Sequence, residues 1–253
     1  MDLGLTGLKA VLAGASKGIG LATAEALAKE GCDVAICARG QGDLANAAAK
    51  LGAAGVKVFT DSVDLADAAA YAAWVGQAGE KLGGIDIFIC FATASGGPAS
   101  EEKWKANFEL DLMAVWRGAQ AALPLLEKSK AGSIVAISTT AALEESFGPQ
   151  PYNAMKAALI NYAAALSQQL APKGVRVNTV SPGPIYFEGG VWDRIKTKMT
   201  DFYDATVKSV PMGRLGSDVE VAKAIAFVAS PACRFMTGTN LVIDGGLTRR
   251  VQY

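Results

Sequence analysis

The 253-residue sequence contains no histidine. This absence excludes Ser-His-Asp and Cys-His catalytic arrangements, a histidine acid or base, and any metal site built on imidazole ligands. The four cysteines show no C-x-x-C spacing, and three of them lie in apolar runs. We therefore interpret Cys32, Cys37, Cys90 and Cys233 as reduced and structural, and we expect no bound metal.

Charge is scarce and balanced. The chain has 24 basic and 24 acidic residues, a formal net charge of zero, and only 19% charged residues. It has no basic excess for a phosphate backbone, so nucleic acid is not an expected partner. The longest charge-free stretch, residues 157–172, is shorter than a membrane span needs, and the start lacks the cationic region of an export signal. We expect a cytoplasmic protein with no membrane association.

Hydrophobic residues make up 51% of the chain, which is enough for a large core. Short β-branched runs alternate with longer alanine-rich stretches of helical period, a rhythm that indicates repeated βα units. The sequence thus predicts one α/β domain over residues 1–253, with a doubly wound, mostly parallel, seven-stranded Rossmann-type sheet flanked by helices on both faces. The predicted strands are Lys9–Ala13, Asp33–Ala38, Val56–Thr60, Asp86–Phe91, Ser133–Ser138, Val175–Val180 and Leu241–Ile243. The six predicted helices start near Gly18, Gln41, Asp67, Glu101, Pro151 and Ser217.

One glycine-rich segment, residues 14–20, follows the first predicted strand and opens the first helix. Glycine allows a tight turn and lets the backbone approach a pyrophosphate that rests on the amino end of a helix. The spacing is G-x-x-x-G-x-G, so an ordinary strand-to-helix turn is the alternative. The candidate cofactor-binding residues here are Gly14, Ser16, Lys17, Gly18, Ile19 and Gly20.

The end of the second strand is where a dinucleotide site selects its cofactor. An acidic residue there would bind the 2′-hydroxyl of NAD, whereas an arginine accommodates the 2′-phosphate of NADP. The chain has Arg39 at this point and no acid, with Lys17 as a possible second cation. This favours NADP(H) over NAD(H), although two solvated surface cations remain the alternative.

A third motif, Y-x-x-x-K, opens the helix at Pro151. Tyr152 and Lys156 are four residues apart, so they share one helix face. A nearby cation favours the phenolate and moves the tyrosine pKa toward a useful range. The pair is the best proton-transfer arrangement in a chain without histidine, although such a pair also occurs on ordinary helix faces.

Together, the glycine-rich segment, the Y-x-x-x-K motif and Pro182-Gly183 after the sixth strand resemble the short-chain dehydrogenase/reductase family. The resemblance extends to the closing segment, residues 237–246. It implies that Tyr152 exchanges a proton with the substrate oxygen, while Lys156 tunes the tyrosine and holds the nicotinamide ribose. The substrate-orienting serine of the family matches Thr139, or Ser138 if the register slips by one.

The resemblance also implies further site residues. The family's fourth catalytic residue, an asparagine that holds a relay water, matches Asp111, which accepts but cannot donate when ionised. Asp64 matches an acid that meets the adenine amino group, although a helix-capping role is the alternative. The remaining implied cofactor contacts are Leu65, Phe91, Ala92, Pro182, Gly183 and Ile185.

Residues 185–211 interrupt the βα rhythm, and we predict no strand there. The segment resembles the part of the family that covers the substrate. Aromatic and methionine walls suit an apolar or aromatic ketone, although these side chains could instead pack the segment itself or a subunit interface. They are Tyr186, Phe187, Trp192, Met199, Phe202 and Tyr203.

The resemblance implies an NADP(H)-dependent oxidoreductase that moves a hydride between the nicotinamide and a ketone or secondary alcohol. It also implies a homo-oligomer, a tetramer or a dimer. The alternative function is a catalytically weak NADP(H)-binding sensor or scaffold, which is favoured by Asp111, Thr139 and the loss of the usual asparagines after the fourth strand. The substrate, stereochemistry and pathway stay open at this point.

Overall fold

The computed structural model describes residues 1–97, 99–146 and 148–251. Strands and helices alternate along most of the chain. The strands are β1 (Lys9–Ala13), β2 (Asp33–Ala38), β3 (Val58–Ser62), β4 (Ile87–Cys90), β5 (Ser133–Ile137), β6 (Arg176–Pro182), β7 (Ile185–Tyr186), β8 (Gly216–Ser217) and β9 (Asn240–Ile243). The helices are α1 (Gly18–Lys29), α2 (Gln41–Gly52), α3 (Ala68–Leu82), α4 (Glu101–Asn107), α5 (Ala114–Leu126), α6 (Pro151–Leu170), α7 (Val191–Lys198), α8 (Thr200–Ser209) and α9 (Asp218–Ala229).

Seven strands form one parallel sheet in the order β3-β2-β1-β4-β5-β6-β9. The strand order reverses between β1 and β4, and this is the kind of switch point at which open α/β sheets bind ligands. Apolar clusters cover both faces of the sheet. One contains Trp74 and Phe88, and the other contains Leu27 and Ile36. The predicted doubly wound α/β fold is confirmed.

Several predicted boundaries were shifted. The third strand was placed at 56–60 but runs from Val58 to Ser62, because Val58 is the residue that pairs with Val34. The Lys57 N–H donates instead to the Asp33 carboxylate at 2.8 Å. The fourth and fifth strands are slightly shorter than predicted. The sixth extends to Pro182, where the partner strand β9 also ends.

The prediction that residues 185–211 contain no strand was wrong. Ile185 and Tyr186 form β7, which pairs with β8, and α7 and α8 follow. A two-residue strand lacks the alternating pattern that would reveal it. The helix predicted to start near Glu101 is not one regular α-helix. A π-helical segment, Phe108–Met113, joins α4 to α5.

The four cysteines are free and buried, as predicted. In the described ranges, no helix is both long enough and apolar enough to cross a membrane. The same residues contain no group of three or more cysteine and acidic side chains arranged to hold a metal ion.

Candidate active site

The amino end of α1 lies directly after the glycine-rich segment that follows β1. No side chain caps this end, and the first turn of α1 holds no acidic residue. The first N–H groups of a helix lack intrahelical partners and carry a positive partial charge. The end of α1 is therefore suited to bind an anion such as a pyrophosphate.

Two glycines of this segment are required by close packing. Gly14 has φ +73°, and a Cβ there would lie 3.0 Å from the backbone nitrogen of Ala92. A Cβ at Gly20 would lie 2.8 Å from the Ala15 Cα. The first contact brings the segment after β4, including Phe91, beside the glycine-rich segment at the switch point of the sheet. The arrangement fits a bound dinucleotide.

Two candidate cations lie near the carboxyl end of β2. Arg39 is exposed directly after the strand. The Lys17 Nζ lies 2.7 Å from the Asp43 Oδ2, so the charge of this lysine is offset. Arg39 forms no ion pair with another residue of the described part of the chain. Arg39 is thus the stronger candidate to meet a phosphate.

Asp64 and Leu65 follow β3. Asp64 is exposed, and its Oδ1 accepts a hydrogen bond from the Ala66 N–H at 3.0 Å, whereas Leu65 is buried. The helix-capping alternative for Asp64 was wrong, because Asp67 caps α3 by accepting from two backbone N–H groups. The Asp64 carboxylate therefore lies outside the helix and faces solvent.

Pro182 ends β6 at the same edge of the sheet, and Gly183 follows it. A Cβ at Gly183 would lie 2.8 Å from the Asp244 Cβ, so only glycine fits between β6 and the segment after β9. The buried Ile185 then begins β7. These contacts bring the residues after β6 to the carboxyl edge of the sheet, on the same side as the glycine-rich segment.

Tyr152 and Lys156 lie one turn apart on α6. The Lys156 Nζ is 5.8 Å from the centroid of the Tyr152 ring. Thr139 lies two residues after the end of β5, and its hydroxyl is close enough to the Tyr152 phenol to lower the pKa of that group. The Tyr152 phenol, the Thr139 hydroxyl and the Lys156 ammonium group therefore lie close together.

Ser138 is turned the other way. Its Oγ donates to the Lys156 carbonyl at 3.0 Å, and only 3% of the residue is exposed. Side chains alternate along an extended backbone, which is why Thr139 and Ser138 point in different directions. Thr139 is thus the residue of the two that lies beside the phenol.

Asp111 lies in the π-helical segment and is fully buried. Its Oδ1 is 3.2 Å from the Lys156 Nζ, which also donates to the Ile137 carbonyl at 2.9 Å. The sequence left the effect of an aspartate at this position open. In the structure it forms a buried ion pair with the lysine of the Y-x-x-x-K motif.

The surroundings of Tyr152 shift its pKa. Burial raises the pKa above its ordinary value, the Lys156 ammonium lowers it, the Asp111 carboxylate raises it, and the nearby Thr139 hydroxyl lowers it. The net effect is upward. At neutral pH the tyrosine therefore carries its proton and can give it to an acceptor.

Phe187, from the segment 185–211, packs on the glycine-rich segment. A Cβ at Gly18 would lie 2.6 Å from the Phe187 ring, and a Cβ at Gly190 would lie 2.9 Å from it. Gly18 also has φ +55°, a conformation that favours glycine. The ring thus lies against the first residue of α1, where an anion would bind.

Other aromatic residues of this segment pack on one another. The Trp192 ring stacks on Phe202 with centroids 6.0 Å apart, and Tyr203 meets Trp192 edge-on at 6.5 Å. The Tyr186 hydroxyl donates to Asp193 at 2.8 Å. Part of the predicted aromatic wall therefore packs the segment itself, while Met199 stays 55% exposed.

Asn107 is a buried polar residue at this site that was not predicted from the sequence. Its Nδ2 donates to the Asp111 Oδ2 at 2.7 Å. The available signal was the four-residue spacing between an amide and a carboxylate on one predicted helix. The spacing alone does not show whether such a pair faces solvent or a site.

Proteins of known activity resemble this chain over nearly its whole length. A family model described as enoyl-(acyl carrier protein) reductase matches residues 14–248. Isoepoxydon dehydrogenase patN of Aspergillus clavatus is 33% identical, with 98% of each chain covered. The 3-oxoacyl-(acyl-carrier-protein) reductase FabG of Vibrio harveyi is 30% identical over 97% of this chain and 99% of that protein.

Solved structures resemble the fold closely. L-sorbose reductase of Gluconobacter frateurii, solved with NADPH and L-sorbose, superposes with a TM-score of 0.91 at 30% identity. The match covers 99% of this chain and 100% of that one. A short-chain dehydrogenase/reductase of Serratia marcescens gives a TM-score of 0.88 at 30% identity, with 96% and 99% covered. The matched part of the chain includes the glycine-rich segment and Tyr152.

Proposed function

Because the chain belongs to the short-chain dehydrogenase/reductase family, we propose that it is an NADP(H)-dependent oxidoreductase that interconverts a ketone and a secondary alcohol. The observation that carries this proposal is the proximity of Tyr152, Thr139 and Lys156 at the carboxyl edge of the sheet. An uncapped helix end suited to a pyrophosphate lies at the same edge. The candidate proton donor and the candidate cofactor site thus lie at the same edge of the sheet.

The site residues act on the carbonyl oxygen of the substrate. Thr139 donates a hydrogen bond that orients this oxygen, and Tyr152 gives it a proton. Bound NADPH supplies the hydride, so that ketone, NADPH and one proton give alcohol and NADP⁺. In the reverse direction the Tyr152 phenolate takes the alcohol proton, and Lys156 stabilises the phenolate by its charge.

The preference for NADP(H) follows from Arg39. Its exposed guanidinium follows β2 without an ion-pair partner among the described residues, and it suits a 2′-phosphate better than a hydroxyl. The relative from Gluconobacter frateurii was solved with NADPH, which supports the same assignment. We assign NAD(H) as the weaker cofactor.

We assign an apolar or aromatic ketone as the substrate, because the segment 185–211 is rich in aromatic residues and methionine.

The four buried free cysteines favour a reducing compartment, in keeping with a cytoplasmic location. Trp104, Phe108 and Trp116, on α4, the π-helical segment and α5, are each 42% exposed. These exposed apolar side chains support assembly into a homo-oligomer.

A catalytically weak NADP(H)-binding sensor is the second candidate. The buried Asp111 favours it, because this carboxylate offsets the charge of Lys156 and raises the pKa of Tyr152. In a sensor the same fold would bind the cofactor without rapid turnover. The two candidates differ in whether Tyr152 supports a chemical step.

The test is ketone-dependent NADPH consumption by the wild type and by Tyr152→Phe, with NADPH affinity measured by titration. We expect Tyr152→Phe to lose about a hundredfold or more in kcat, the usual contribution of a general acid, with little change in NADPH affinity. Tyr162→Phe makes the same substitution further along α6 and serves as the control, with kcat unchanged. Equal turnover by Tyr152→Phe and the wild type contradicts the assigned role. Tight NADPH binding without turnover on aliphatic, aryl, steroid or β-ketoacyl ketones supports the sensor.

A further inference from the structure

The Asn107 amide has an orientation fixed by its partners. Asn107 ends α4, one turn before Asp111, and neither residue is exposed. Its Nδ2 donates to the Asp111 Oδ2 at 2.7 Å and to the Ser95 carbonyl at 3.2 Å. A carboxylate and a carbonyl only accept hydrogen bonds, so only the NH₂ end of the amide can face them.

The Asp111 carboxylate is held from two sides. Its Oδ2 accepts from Asn107 and also from the Ala94 N–H at 3.0 Å. With two donors on Oδ2, the other oxygen is turned toward the Lys156 Nζ, 3.2 Å away. The Asn107 amide thus determines which way the negative charge points.

The backbone around this cluster is irregular. Ser95 has φ +59° and is the one non-glycine residue in the left-handed region among those that the structure describes. The π-helical segment begins directly after Asn107, and π turns occur frequently at functional sites. Asn107 therefore joins a strained turn after β4, the π-helical segment and the Lys156 ion pair.

We propose that Asn107 is a positioning residue that acts through Asp111 to set the charge balance around Tyr152. The proposal rests on the assignment of Tyr152 as acid and base. With Asp111 held against Lys156, the positive charge that would stabilise the phenolate is offset, so the enzyme keeps its phenol protonated and favours reduction.

The other charged and titratable groups that surround this cluster do not replace Asp111. Lys103 directs its ammonium to the Ala94 carbonyl at 3.0 Å. Cys90 on β4 is a buried thiol whose pKa is raised by burial, so it is uncharged at neutral pH. Asp111 is therefore the negative charge that Asn107 can direct.

The experiment is a titration of the Tyr152 phenolate by its near-ultraviolet absorbance, with Tyr152→Phe titrated in parallel and subtracted in each background. The variants are Asn107→Leu, Asp111→Asn and the double variant. Glu109→Gln removes a negative charge from the same π-helical segment and is the control, because Glu109 pairs with Arg117. If Asn107→Leu does not fold, Asn107→Ala removes the same amide without added bulk.

We expect Asp111→Asn to lower the phenolate midpoint by roughly one pH unit, the effect of removing a nearby like charge. Asn107→Leu shifts it the same way by less, because the carboxylate loses a donor and is no longer held against Lys156. In the double variant we expect no shift beyond that of Asp111→Asn, since Asn107 acts through Asp111. Glu109→Gln titrates as the wild type.

A folded Asn107→Leu that titrates as the wild type overturns the proposal, as does a double variant whose shift is the sum of the single shifts. The pH profile of alcohol oxidation is measured alongside and should move with the phenolate midpoint. If no variant oxidises any alcohol, the proposed function fails, while the phenolate titration still decides the role of Asn107.

Discussion

Arg39 and Lys17 show how the same charge serves differently in two settings. The Lys17 Nζ is 2.7 Å from the Asp43 Oδ2, and this carboxylate offsets the charge of the lysine. Arg39 follows β2 and has an exposed side chain. A guanidinium also offers two parallel donors to a phosphate, which an ammonium does not. The sequence named both cations as candidates for the cofactor site, but the ion pair of Lys17 with Asp43 could not be predicted from it.

Arg39→Ala is expected to weaken NADPH binding by about tenfold to a hundredfold, since a hydrogen bond to a charged group contributes roughly 1.5–3 kcal/mol. NADH affinity should change little, because NADH lacks the 2′-phosphate. Isothermal titration with both cofactors measures the difference. Lys17→Ala is the matched comparison, with a smaller effect on NADPH. Equal losses for NADPH and NADH with Arg39→Ala would mean that Arg39 does not bind the 2′-phosphate.

The Phe187 ring of the segment 185–211 lies against the amino end of α1. Phe187 lies on Gly18, whose Cβ would come within 2.6 Å of that ring. A pyrophosphate bound at the end of α1 would accept hydrogen bonds from the first backbone N–H groups of the helix, beside this ring. We therefore expect the ring to move aside when a dinucleotide binds.

Phe187→Ala removes this obstruction, and we expect it to tighten both NADPH and NADH by up to about tenfold. A closed state populated to about 90% weakens apparent affinity by that factor. Phe202→Ala changes a stacked ring of the same segment, away from Gly18, and should leave both affinities unchanged. Weaker binding of both cofactors by Phe187→Ala would instead make the ring a wall of the cofactor site.

Among the elements, those with strong local signals were predicted well. α3 and α9 begin after Asp67 and Ser217, whose side chains cap them, and α6 begins with proline at Pro151. The π-helical segment 108–113 and the two-residue strand β7 carry no such signal. They depend on tertiary contacts, which periodicity does not contain.

Across the whole molecule, the alternation of strands and helices predicted the sheet and placed three motifs at its carboxyl edge. The order of the strands then brings Gly14 against Ala92 and Tyr152 beside Thr139. The contact of Asp111 with Lys156, and that of Asn107 with Asp111, required the side-chain orientations of the folded chain. The sequence motifs thus named the candidate site residues, and the structure adds the buried polar groups that contact them.

Hydride transfer itself is the most direct measure of the proposed chemistry. The protein would be incubated with NADPH carrying deuterium at both C4 positions of the nicotinamide and with each member of a ketone panel, and the alcohol product analysed by mass spectrometry. We expect one deuterium on the carbinol carbon with wild-type protein and a loss of about a hundredfold in its formation with Tyr152→Phe. An NADPH-binding protein that forms no deuterated alcohol from any ketone would contradict the account.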